Sequence, residues 1–105
     1  MVLVMALMLA AVTAAPADVK GKWDGHRRDL AQVVADLQRI TADQDRIRKN
    51  LAATPREAEV YQTYLTRLAT QEREIDGLTA RERTLMAAEF TARKGFEDFL
   101  ANLTD

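Results

Sequence analysis

Three features of the chain predict an all-α fold: an antiparallel two-helix coiled-coil hairpin with an apolar N-terminal leader helix. Apolar side chains recur every seven residues over two long stretches. One short break, Thr54-Pro55, separates those stretches. The composition is 48% apolar and 30% charged with only 4 Gly and 2 Pro, a balance that suits long helices better than a sheet.

A chain of 105 residues has room for one domain. Its 15 basic and 16 acidic residues leave a net charge of −1, so nothing calls for nucleic acid as a partner. The absence of cysteine excludes a disulfide framework, a thiolate metal site and a lipidated cysteine. Every charged side chain lies in Asp18–Asp105, which divides the chain into an apolar leader (1–17) and a charged body (18–105).

The leader runs M-V-L-V-M-A-L-M-L-A-A-V-T-A-A. It is long enough for a signal-peptide core and short of the ~20 residues a membrane-spanning helix needs. Ala15-Pro16-Ala17 fits a small-residue cleavage site before Asp18, although no Lys or Arg precedes the apolar run. The expectation is a signal peptide and a periplasmic or secreted bacterial protein. If the leader is kept, the chain is membrane-associated through residues 1–17.

In the first helix, expected over about 18–52, Trp23, Leu30, Leu37, Gln44 and Leu51 form one heptad series. His26, Val33, Ile40 and Ile47 form the second, offset by three. Asp24 with Arg28 and Asp45 with Lys49 have the favourable acid-first i,i+4 order.

Pro55 lacks an amide hydrogen and disfavours helix at Thr54. It is at home in the first helical position, so Thr54 is expected as N-cap and Glu57 as its capping-box partner. The turn then occupies 53–55 and the second helix about 55–103. Tyr61, Leu68 and Ile75 form one series there; Tyr64, Gln71, Leu78 and Leu85 form the other. The repeat weakens beyond Leu85, where Glu82 and Glu89 take seam positions before Phe96, Phe99 and Leu103 return to it. Gly77 and Gly95 are soft points, with Gly95 a candidate kink.

With so tight a turn, heptad geometry pairs residues whose numbers add to about 108. Ile47 then faces Tyr61, Gln44 faces Tyr64, Ile40 faces Leu68, Leu37 faces Gln71 and Trp23 faces Leu85, while His26 meets Glu82. The second helix, about 70 Å long, outruns the first at about 50 Å. Phe90, Phe96, Phe99, Leu100 and Leu103 are therefore left without partners in the mature hairpin. They are the expected partner-binding surface, and a thin two-helix core makes homo-oligomerisation the expected state.

No catalytic, cofactor-binding or metal-ligating set is expected. His26 is the only histidine and fits a seam residue that sets register better than an acid/base group with Glu82. Asp43 and Asp45 point to different sides of a helix. Arg46, Arg48, Lys49 and Arg56 sit near the turn among compensating acids and read as solvated charges. Tyr61 and Tyr64 read as packing residues.

The run Asp43-Gln44-Asp45-Arg46-Ile47-Arg48-Lys49-Asn50-Leu51, the proline turn, and then Tyr61, Tyr64, Leu65, Leu68, Gln71 and Glu72 carry a resemblance. Over about residues 30–85 the chain resembles the C-terminal helical hairpin of large exported bacterial proteins of the mucoidy-inhibitor-like type. The resemblance implies export and a hairpin, and it implies no catalytic residue.

The expected function is thus a non-catalytic, exported coiled-coil interaction module that self-associates or docks on a larger envelope protein. The alternative is a periplasmic holdase-type chaperone gripping clients through the Phe90–Leu103 surface. An enzyme is not expected.

Overall fold

The computed structural model describes the backbone of residues 2–103 and the side chains of residues 18–103. It holds two helices, α1 (Val2–Ala52) and α2 (Glu59–Leu103), and no strand among the described residues. The expectation of a leader at 1–17 falls outside the described side chains. Ala31–Arg83 form one compact unit; the remaining stretches of both helices form another.

In the Ala31–Arg83 unit the chain reverses and the two helices lie as antiparallel neighbours, a helical hairpin. Asp43 accepts from Gln71 at 2.6 Å, and Glu72 accepts from Gln44 at 2.9 Å. Every heptad position named above is buried or half-buried in this unit, from Val33 through Leu51 and from Tyr61 through Glu82. Ile47 and Val33 are its best-buried apolar side chains, at 0% and 3% exposure. Gln44 is also buried, at 3%, so the seam carries a polar layer at its centre.

The reversal is longer than expected. α1 ends at Ala52 as its last carbonyls find partners without a left-handed residue. The Ala53 amide reaches the Lys49 carbonyl, the Thr54 amide reaches Leu51, and the Thr54 hydroxyl donates to the Asn50 carbonyl. The last two bonds are the tightened-turn and side-chain routes to satisfying a helix end. Thr54 therefore finishes α1 and does not cap α2 in the expected capping box. Pro55–Ala58 closes a separate turn through the Ala58 amide and the Pro55 carbonyl, and α2 starts at Glu59 rather than Pro55. Glu59, in the first turn, meets the positive end of the helix dipole with its acidic side chain.

This longer connection moves the register. Gln44 meets Glu72 where Tyr64 was expected, eight residues away; Gln71 meets Asp43 where Leu37 was expected, six away. The mean displacement is one heptad, about 10 Å of helix. The two members of the expected His26–Glu82 pair fall in different compact units.

In the other unit, Trp23 stacks at a tilt on Phe96, with ring centroids 5.4 Å apart, and donates from Nε1 to Glu89 at 3.1 Å. Leu85, its expected partner, is buried. The sequence reading left Phe96 unpartnered; the displaced register gives it an aromatic neighbour. Buried Leu85 is followed at heptad spacing by half-buried Glu89, Ala92, Phe96 and Phe99, so the repeat does not fade past Leu85. α2 stays helical through Gly95, with no break before the terminal aromatics.

Candidate functional site

Two places gather polar or apolar side chains that a partner could use. The first lies in the Ala31–Arg83 unit. Asp43, half-buried at the flank of the seam, accepts from Arg46 Nη2 at 2.8 Å and Nε at 3.0 Å, and from Gln71 on the facing helix. The Arg46 bonds, and after them the Gln71 amide, hold the Asp43 carboxyl below its ordinary range, because both stabilise the charged form. Gln71 gives its amide hydrogen to Asp43, yet its buried Oε1 has no partner. Such an orphaned acceptor costs about 1–3 kcal/mol. A shallow open groove of about 520 Å³ runs beside this cluster, lined by Arg39, Ile40, Ala42 and Arg46 among others. The Asp43 carboxylate is thus already engaged by an arginine of its own helix and a glutamine of the facing one. Among the described residues no group of His, Asp and Glu is placed to hold a metal ion.

Two of the basic residues near the turn, Arg46 and Arg48, are paired within the chain. Arg46 pairs with Asp43, and Arg48 lies 3.6 Å from Asp45 and 3.5 Å from Glu72. The same acid-first i,i+3 arrangement recurs at Asp24–Arg27 and Asp36–Arg39. These exposed pairs contribute little to stability individually. Tyr61 and Tyr64 are half-buried on the seam side of α2.

The second place is the C-terminal half of α2. Of the five residues expected to bind a partner, Phe90, Leu100 and Leu103 are exposed, at 54%, 45% and 66%. Phe96 and Phe99 are half-buried, and Phe96 is occupied by Trp23. Met86, 54% exposed, joins the outward group; it lies beside the seam line as Phe90 and Leu100 do, but only those two were expected to bind a partner. The spacing of Met86, Phe90 and Leu100 places them on one flank of α2, about 100° around the helix from the seam. The signal that could have added Met86 to the expected set is a second 4-3 spacing beside the first.

Charge and aromatic contacts tie this flank to the seam. The Arg93 guanidinium sits 5.6 Å from the centre of the Phe90 ring and 3.7 Å from Glu89, the acceptor of the Trp23 indole. Arg27 covers the Trp23 ring at 5.0 Å and reaches Asp24 at 3.2 Å. Phe90 thus lies beside this cluster yet remains exposed. Among the described residues no helix is long and apolar enough to cross a membrane. No family model matches the chain, and neither a curated protein nor a solved structure is significantly similar to it.

Proposed function

We propose that this chain is a non-catalytic helical-hairpin interaction module that works by presenting the C-terminal flank of α2 to another protein surface. The observation that carries the reading is the outward group Met86, Phe90, Leu100 and Leu103 on one short stretch of helix. Large apolar side chains left this exposed cost solubility unless a partner covers them. The thin core points the same way, since only Val33, Ile47 and Leu85 among the described apolar residues are buried. In this reading the chain is exported, residues 1–17 act as the leader, and the hairpin is related in form to that of the mucoidy-inhibitor-like proteins. The partner is a second copy or a larger envelope protein.

Sedimentation velocity of the full chain, with and without Phe90→Ser and Leu100→Ser together, tests the main claim. Concentration-dependent association that the double change abolishes is the expected result. A wild-type chain that stays monomeric and captures no envelope protein would remove the basis for the reading. Suppression of aggregation of an unfolded client at stoichiometric amounts would instead favour the holdase alternative. The export component has its own test, in N-terminal sequencing of protein produced in a bacterial host. A new terminus at Asp18 is expected, and recovery of intact Met1 from the cytoplasm would sink that component.

A further inference from the structure

The outward flank of α2 has an order that narrows the choice of partner. Met86, Phe90, Arg93, Glu97 and Leu100 follow one another at intervals of four, three, four and three residues. That is a second heptad stripe, distinct from the seam that faces α1. All five side chains lie on the solvent side or partly so: Phe90, Met86 and Leu100 are exposed, and Arg93 and Glu97 keep 42% and 59% of their side-chain surface. The stripe reads the same in both directions in physical character. Around a point near residue 95 an apolar residue, a charge, an opposite charge and an apolar residue follow in sequence.

A two-fold axis through that point converts the symmetry into contacts. In an antiparallel pair of such stripes, Phe90 of one copy faces Leu100 of the other, and Arg93 faces Glu97, each contact occurring twice. This is the layer pattern of an antiparallel coiled coil and the self-complementarity of an isologous interface. A parallel pair would set Arg93 against Arg93 and Glu97 against Glu97, which like-charge repulsion disfavours. Within the chain Arg93 lies nearer Glu89, at 3.7 Å, than Glu97, at 4.0 Å, and the arginine-first i,i+4 order is the weaker one. Glu97 is therefore only weakly paired and can accept a better-placed guanidinium from outside.

We infer that the Met86–Leu100 flank of α2 is a homodimer interface, in which two copies of this chain pair antiparallel with Arg93 and Glu97 in reciprocal ion pairs. The inference rests on the interaction-module reading above and names the second copy as the partner. The face spans about 20 Å of helix, well short of the ~800 Å² per partner of a standard stable interface. Association is accordingly expected at ~10 µM to ~1 mM rather than at nanomolar concentration.

Charge reversal tests it in the full chain by sedimentation equilibrium, with helicity by circular dichroism as the folding control. Arg93→Glu and Glu97→Arg should each weaken self-association by about tenfold, since two opposite-charge contacts become two repulsions. An equimolar mixture of the two variants should restore association, because every contact is again between opposite charges. The double variant carrying both changes should self-associate like the wild type. If the wild type associates but neither single reversal weakens it, or mixing fails to restore it, the antiparallel interface is wrong while the interaction-module reading survives. A wild type that stays monomeric to 1 mM overturns the inference, and the broader reading then depends on a foreign partner alone.

Discussion

Asp43 shows how one side chain can stitch two helices without being buried. It accepts from Arg46 one turn along α1 and from Gln71 across the seam. Both partners favour its charged form, so in the folded chain its carboxyl titrates below the ordinary aspartate value. A depressed carboxylate contributes stability that is complete above the unfolded value and is lost as pH falls through the folded one. Titration by NMR should therefore place Asp43 below 3.8, and its contribution should disappear only in acid below about pH 4. In Asp43→Asn that part of the acid dependence should vanish. Thr54, by contrast, acts through a single side-chain hydrogen bond. Thr54→Val keeps the shape and removes the donor to Asn50, and should lower stability by about 1 kcal/mol in urea unfolding. Glu57→Ala should change stability by less than about 0.5 kcal/mol, because Glu57 is exposed and lies ahead of α2. The capping-box arrangement expected from Thr54-Pro55-Arg56-Glu57 would make Glu57 the costly change instead, so the pair of variants separates the two geometries.

For the helices, the question is register. α1 and α2 carry matching stripes, and the positions that line the seam were readable from spacing alone, down to Gln44 and Gln71 as polar interruptions. Which residue faces which was not readable. Moving one helix past the other by seven residues maps every a position onto an a position and every d onto a d, so the stripes are satisfied equally well in both registers. The choice falls to the connection. Six residues, 53–58, separate the helices where a three-residue turn was expected, because Thr54 closes α1 and Pro55–Ala58 form a turn of their own. Cysteine pairs test this directly. Gln44→Cys with Glu72→Cys should cross-link rapidly within one molecule under mild oxidation. Gln44→Cys with Tyr64→Cys should not, since the second position lies about two turns away. Efficient bridging of the 44/64 pair alone would return the hairpin to the shorter register.

For the molecule as a whole, the balance between a narrow core and an exposed flank decides behaviour. A two-helix arrangement buries one stripe per helix, and most seam residues remain half-exposed. Any association that covers Met86, Phe90 and Leu100 adds apolar burial the isolated chain lacks. Because binding to the folded state alone stabilises by mass action, the thermal midpoint should rise with protein concentration. A rise of several degrees between ~10 µM and ~1 mM is expected, and it should flatten in the Phe90→Ser, Leu100→Ser double variant. A midpoint independent of concentration in the wild type would show that folding and association are uncoupled.

Helical character, the seam stripes and the place of reversal followed from spacing and from one proline, because a helix imposes its period on the chain locally. The terminal phenylalanines were also visible, but as one undivided surface. Only the folded chain separated Phe96, packed on Trp23, from Phe90 and Leu100, which face outward. That division depends on which heptad of α1 lies beside which heptad of α2. A periodic pattern carries no information about its own offset, so the path of the connecting residues in three dimensions had to supply it.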